Sequence, residues 1–164
     1  MLAGIALFIS SCQKDELLNS SQKQDHKNKC VPFKANFTTI DELTQPATDD
    51  NPIQKDRITG TGEGTHIGKA TIEVFAEGDI TLPFPALVTS TGTFTAANGD
   101  KIFFAGSGNV NEPDANGNLH LTANSTITGG TGRFTGATGR ITGYVVQSIN
   151  TPAGTVRFEG TICY

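Results

Sequence analysis

The chain has 164 residues, enough for one domain with a real core and too few for two comfortable ones. Charged residues make up 17% of it against an average of about 25%, Gly occurs 19 times and Trp is absent, a mixture that favours turns and strands over helices. The net charge of -4 comes from 16 acidic and 12 basic residues, and the basic ones do not gather into one stretch after Lys29, so no nucleic-acid partner is expected, because phosphate binding needs clustered cations.

Met1 to Cys12 is an apolar run that breaks into Gln13-Lys14-Asp15-Glu16. It is shorter than the roughly 20 apolar residues a spanning helix takes. Ile9-Ser10-Ser11-Cys12 resembles the lipobox of bacterial lipoproteins, in which the Cys receives a diacylglycerol and cleavage leaves it as the new amino terminus. That resemblance implies a signal peptide over 1–11, lipidation at Cys12 and a membrane partner engaged through the lipid anchor. No basic segment precedes Leu2, which leaves either an upstream start or an atypical signal, and the alternative is a free Cys in a disordered tail. One myristoyl-sized chain gives only reversible attachment, at about 0.8 kcal/mol per buried CH₂, whereas two or more acyl chains hold durably. The Lys-Asp-Glu behind Cys12 resembles the surface-export signal of some Gram-negative lipoproteins. It implies an outer-membrane location, on the periplasmic or the cell-surface face, with the surface favoured.

Residues 12–29 read as a polar, aperiodic tether that contains His26. A flexible chain of about 17 residues reaches on the order of 20 to 25 Å. From Val31 the signal switches to period two, and eight segments are predicted as strands within a domain over 30–164. The first, Val31 to Ile40, puts Phe33, Ala35 and Phe37 on one face, and a long polar connection from Asp41 to Lys55 with Pro46 and Pro52 follows. The second, Arg57 to Gly64, alternates Gly60, Gly62 and Gly64, which leaves room for close packing or a strongly curved wall. The third is Lys69 to Ala76. The fourth, Ala86 to Ala96, lines Thr89, Thr91, Thr93 and Thr95 along one face, and Asn98-Gly99 supplies a tight turn into the fifth, Lys101 to Asn109. The sixth is Leu119 to Ile127, the seventh Arg140 to Ile149 and the eighth Thr155 to Tyr164, with at most one or two short helical turns elsewhere.

Eight short strands with hairpin-length connections suit an all-β fold, an eight-stranded antiparallel up-and-down barrel, which removes the exposed edges an open sheet would leave. A two-sheet β-sandwich is the alternative, since alternation looks the same in both. With Cys12 lipidated, Cys30 and Cys163 are an even pair at the two ends of the domain. First and last strands of a closed barrel lie side by side, so a Cys30–Cys163 disulfide is geometrically reasonable. Closing about 130 residues stabilises by about 4 to 5 kcal/mol in the chain-entropy model. The alternative is two buried free thiols.

Between the sixth and seventh strands runs Ile127-Thr-Gly-Gly-Thr-Gly-Arg-Phe-Thr-Gly-Ala-Thr-Gly139, with Gly129, Gly130, Gly132, Gly136 and Gly139. A nucleotide loop would need a parallel strand before it and a helix after it, so the segment reads as a structural glycine motif in which Phe134 plugs into the core. This Gly-Gly-Thr-Gly-x-Phe-x-Gly-Ala-x-Gly run resembles a segment of the allene oxide cyclase-like and dirigent-like barrel superfamily. Gly60 to Lys69 also resembles a recurring element of secreted bacterial proteins of that barrel type. The resemblance implies an eight-stranded antiparallel barrel with a central cavity. It carries over no pocket residue and no activity, because the shared motif is structural.

Glu63, His66 and Glu73 are the nearest approach to an acid-base set, set against a reading as rim or surface residues. Together with Arg133 they are the weak ligand candidates. Arg133, Arg140 and Arg157 either converge on an anion at one barrel end or pair with Glu159 and other carboxylates on the outer wall. His120, between Leu119 and Leu121, points away from both. The Thr face from Thr89 to Thr95 is a wet interior, a glycan-binding surface or a β-favouring exterior. No catalytic residue, cofactor or metal is assigned. The leading expectation is a non-enzymatic envelope barrel for a small apolar or amphipathic ligand, or a structural module. The alternative is a cavity enzyme of the cyclase or isomerase type. An open pocket with two or more converging ionisable groups favours the enzyme, and an interior filled by Phe, Ile and Val favours structure.

Overall fold

The computed structural model describes residues 29–79 and 81–164. Cys12, the signal segment and the tether before Lys29 lie outside the described residues. Eight strands follow in chain order: β1 (Cys30–Gln45), β2 (Ile53–Gly64), β3 (Gly68–Asp79), β4 (Ala86–Ala96), β5 (Lys101–Val110), β6 (Asn118–Gly130), β7 (Thr138–Ser148) and β8 (Ala153–Cys163). Each pairs antiparallel with the next, and β8 pairs with β1, so the sheet closes into a barrel and the sandwich alternative falls away. A single 3-10 turn, Gly132–Phe134, is the one helical element among the described residues.

The long strand β1 shows how closure is achieved. Its residues 30–40 pair with β8, and its residues 35–45 pair with β2, so the two neighbours are staggered along it. That stagger is the shear a tilted barrel requires. It also corrects the expected connection from Asp41 to Lys55. Most of that stretch is strand, because only Pro46 to Pro52 breaks the ladder, and the polar side chains of Asp41, Gln54 and Asp56 had masked a period-two pattern that runs on through them.

Cys30 and Cys163 face each other across the β1–β8 seam and form a disulfide between residues 133 apart in sequence. The backbone of Lys29 pairs with that of Tyr164 at the same end. Both described chain ends therefore leave the barrel at one pole, together with the turns 65–67, 97–100 and 131–137. The opposite pole carries the connections 46–52, 80–85, 111–117 and 149–152.

The interior is filled from the pole that holds the chain ends. Phe134 lies in the glycine motif with 0% exposure and packs edge-on against Tyr164, ring centroids 5.1 Å apart, which closes that end as the plug expected of it. Gly132, at the start of the 3-10 turn, takes φ 58°, a conformation side chains resist, and a Cβ there would run into the Asp100 carboxylate. Above the plug, Phe94 contacts the rings of Phe33, Phe37, Phe104 and Phe158 at centroid distances of 5.5, 5.6, 4.8 and 5.0 Å.

Three of these rings lie over glycines on the adjacent strand: Phe37 over Gly62, Phe104 over Gly92 and Phe158 over Gly143. A Cβ built on Gly92 would collide with the tip of the Phe104 ring. Gly92→Val therefore forces Phe104 out of a site where it is 3% exposed. Overpacking of this kind costs about 1–3 kcal/mol. The expected outcome is a lower denaturant midpoint than wild type with an unchanged far-UV β spectrum, measured by chemical unfolding.

Candidate functional site

In the half of the barrel away from the chain ends, the inward positions carry short side chains such as Val74, Ala76, Val88, Ala123 and Val145. They leave a cavity of about 400 Å³, within the range of about 300–1,000 Å³ common for small-molecule sites. Phe104 and Phe158 form its floor. Phe84, Pro113 and Ile149, from three of the loops at that pole, stand at its mouth.

The polar groups of this cavity gather on one wall. Thr39 and Asp41 continue the inward parity of Phe33, Ala35 and Phe37 along β1, and Gln54 and Asp56 project inward from β2. Asp41 pairs with Ile58 and Asp56 with Leu43, so the two carboxylates are diagonal neighbours on adjacent strands, a relation that spans about 7 Å. Gln54 Nε2 donates to both oxygens of Asp56, at 3.1 and 2.9 Å. Burial pushes the Asp41 carboxyl up to about 6, the charge of Asp56 adds to that rise, and the Glu42 backbone N–H opposes it. Burial also raises Asp56, against the pull of the Gln54 amide. Thr39 Oγ1 and Asp41 Oδ1 are both buried without a hydrogen-bond partner. Two carboxyls whose proton affinities burial raises thus stand on one wall, one of them held by an amide, an arrangement able to donate to, accept from or exchange a proton with a bound molecule.

The residues singled out from the sequence lie elsewhere. Glu63 is exposed on the outer wall. His66 stands at the turn after β2, at the pole of the chain ends, where its ring faces Tyr164 at 6.1 Å. Glu73 faces outward and holds Arg57 at 2.7 Å, with Glu42 on the other side of the same guanidinium. Arg133 also lies at the pole of the chain ends, 3.7 Å from Asp100 and with its guanidinium over the Phe134 ring. Arg140 is exposed, and Arg157 pairs with Glu159 at 3.4 Å and lies over Tyr144, so the three arginines do not converge. None of Glu63, His66, Glu73 and Arg133 reaches the cavity. The Thr89 to Thr95 row faces outward, opposite to Val88, Ser90 and Phe94.

His120 does point away from Leu119 and Leu121, which line the cavity, and it reaches Asp114 at 3.1 Å. Asp114 gathers the loop before β6: it accepts the backbone N–H groups of Asn116 and Asn118 at 2.8 and 2.9 Å. The Asn118 N–H, followed by His120, holds its carboxyl well below the usual carboxylate range. Among the described residues no group of three or more His, Cys, Asp or Glu is placed to hold a metal ion.

A carboxyl whose pKa is higher in the folded than in the unfolded chain binds its proton more tightly when folded. The stability it contributes is complete below its ordinary value of 3.8 and is lost as pH rises through about 6. Asp41→Asn removes that dependence. The melting temperature of the variant minus that of wild type should therefore rise between about pH 4 and pH 7 and stay level above, as read by thermal unfolding across that range. A difference that falls or stays flat with rising pH would show that Asp41 is not a buried acid.

No protein-family model, curated protein or solved structure matches the chain.

Proposed function

We propose that this chain is a cell-envelope lipoprotein, held by lipid on Cys12, whose barrel binds a small apolar or amphipathic molecule in its open half. The observation that carries the binding reading is the cavity of about 400 Å³ with aromatic floor, aliphatic walls and polar groups confined to one side. A barrel needed only as a rigid module would gain stability by filling that space, because empty apolar volume costs free energy. Phe84 and Ile149, exposed at the mouth, give an apolar entry path. The lipobox resemblance of Ile9 to Cys12 supports the anchor. In that arrangement the tether joins the barrel at Lys29, on the pole opposite the mouth, so the opening faces away from the attachment point. The glycine motif from Gly129 to Gly139 supports kinship with the allene oxide cyclase-like and dirigent-like barrels, whose cavities hold small molecules.

A second reading, a cavity enzyme of the cyclase or isomerase kind, is favoured by one observation. Asp41 and Asp56 converge in the open cavity, and burial raises the proton affinity of both, which suits acid-base work on a bound substrate.

The binding reading is tested with the neutral, fluorescent probe N-phenyl-1-naphthylamine. Wild type should enhance its emission and shift it to the blue. Ala123→Phe, which fills the cavity from β6, should abolish the enhancement while leaving the β spectrum unchanged. Native mass spectrometry of the protein purified from its own envelope should show an acyl mass on Cys12 and a retained small molecule. A molecule that is released with altered structure would favour the enzyme.

A further inference from the structure

Resting on the cavity reading, we propose that the ligand is a cationic amphiphile, an apolar molecule with a single amine group seated against Asp41, Asp56 and Thr39. The charge of the lining is one-sided. Asp41, Asp56, Glu77 and Asp79 contribute to it, and among the described residues no Lys, Arg or His does. Two of these acids are occupied. Glu77 has Lys55 at 3.6 Å, and Asp79 accepts from the backbone and hydroxyl of Thr81 at 2.9 and 2.6 Å. Asp41 and Asp56 are left facing the cavity, with the neutral amide of Gln54 donating to Asp56 and no ion pair formed by either among the described residues. The β7 and β8 residues nearest to Thr39 on the other side, Gln147 and Gly154, are uncharged.

The independent mark of a ligand is Thr39. It is 1% exposed, it lines the cavity, and its hydroxyl has no hydrogen-bond partner among the described residues. Buried hydroxyls are ordinarily hydrogen-bonded, and leaving one unmade costs free energy. One inward step further along β1, Asp41 Oδ1 is also without a partner. These are oxygen acceptors, together with the Asp56 carboxylate, and a primary ammonium brings three donors and a positive charge. Burial raises the proton affinity of Asp41, and repulsion from the like charge of Asp56 adds to the rise, so that protonation of Asp41 relieves the repulsion as pH falls through about 6. A ligand cation relieves it more completely, because charge-assisted hydrogen bonds replace the repulsion.

An inorganic cation fits less well. Calcium takes six to eight oxygens and magnesium six, whereas aliphatic and aromatic groups make up most of this lining. A fatty acid would add a third negative charge to the same wall.

The test uses the full chain with its disulfide formed and follows displacement of N-phenyl-1-naphthylamine by octylamine, 1-octanol and octanoate. At about pH 8 octylamine should displace the probe at a concentration about tenfold or more below that of octanol, with octanoate weakest, since charge-assisted hydrogen bonds are roughly twice as strong as neutral ones. At about pH 5, below the Asp41 value of about 6, the advantage of the amine should shrink. In Asp41→Asn/Asp56→Asn the amine should fall to the level of octanol while the probe still binds. Equal displacement by amine and octanol in wild type, or an amine preference retained in the double variant, would overturn the proposal and leave the cavity reading standing. Failure of the probe to bind wild type would overturn both.

Discussion

The rest of the structure depends on aromatic rings packed against glycines of the neighbouring strand. Phe37 over Gly62, Phe104 over Gly92 and Phe158 over Gly143 set large groups where the partner strand offers no side chain. Phe94 then bridges the three rings and Phe33 into one cluster. A barrel of eight strands has an interior that side chains can just fill. Here the bulk is spent on one half. The inward residues beyond the cluster include short side chains such as Val74, Ala76, Val88, Ser90 and Ala123, and the hollow is what remains. Packing and cavity are therefore one design, since the rings that seal the lower interior are also the surface on which a ligand would rest.

Strand pattern and closure were legible because they follow from local chemistry. Period two, the Asn98-Gly99 turn and a Cys at each end of the domain suffice to place the β4–β5 hairpin and the seam between β1 and β8. Phe134 was legible too, as the one large apolar residue in a run of glycines. The acidic wall was not. Asp41 and Asp56 stand at the two ends of a polar stretch that contains Pro46 and Pro52, and such a stretch reads as a loop when polarity is taken as exposure. The signal that finds them is parity: Asp41 falls on the same side of β1 as Phe33, Phe37 and Thr39. A carboxylate on the inward parity of an apolar strand is the anomaly worth following. Glu63, His66 and Glu73 attracted notice through their proximity in sequence, but alternation and the turn after β2 disperse them over the exterior.

The electrostatics of the two poles differ in kind. At the pole of the chain ends and along the outer wall, opposite charges meet in solvent, as in Arg57 with Glu73 and Arg157 with Glu159. Such exposed pairs contribute little, about 0 to 1 kcal/mol each. In the cavity, like charges meet away from bulk water, and the cost appears as retained protons and unfilled acceptors. Natural cores avoid that combination unless a bound species or a chemical step makes use of it.

The disulfide, the Lys29–Tyr164 pairing and the aromatic cluster all lie away from the mouth. Of the connections at the mouth, 149–152 joins the β1–β8 seam through Pro152, whose carbonyl accepts the Asp41 N–H at 2.8 Å, whereas 46–52 and 111–117 lie off that seam and can change in length or composition without loosening it. The scaffold thereby separates what must be kept from what is free to vary. A lineage of such barrels can acquire new ligand preferences through its rim while inheriting the same sealed base.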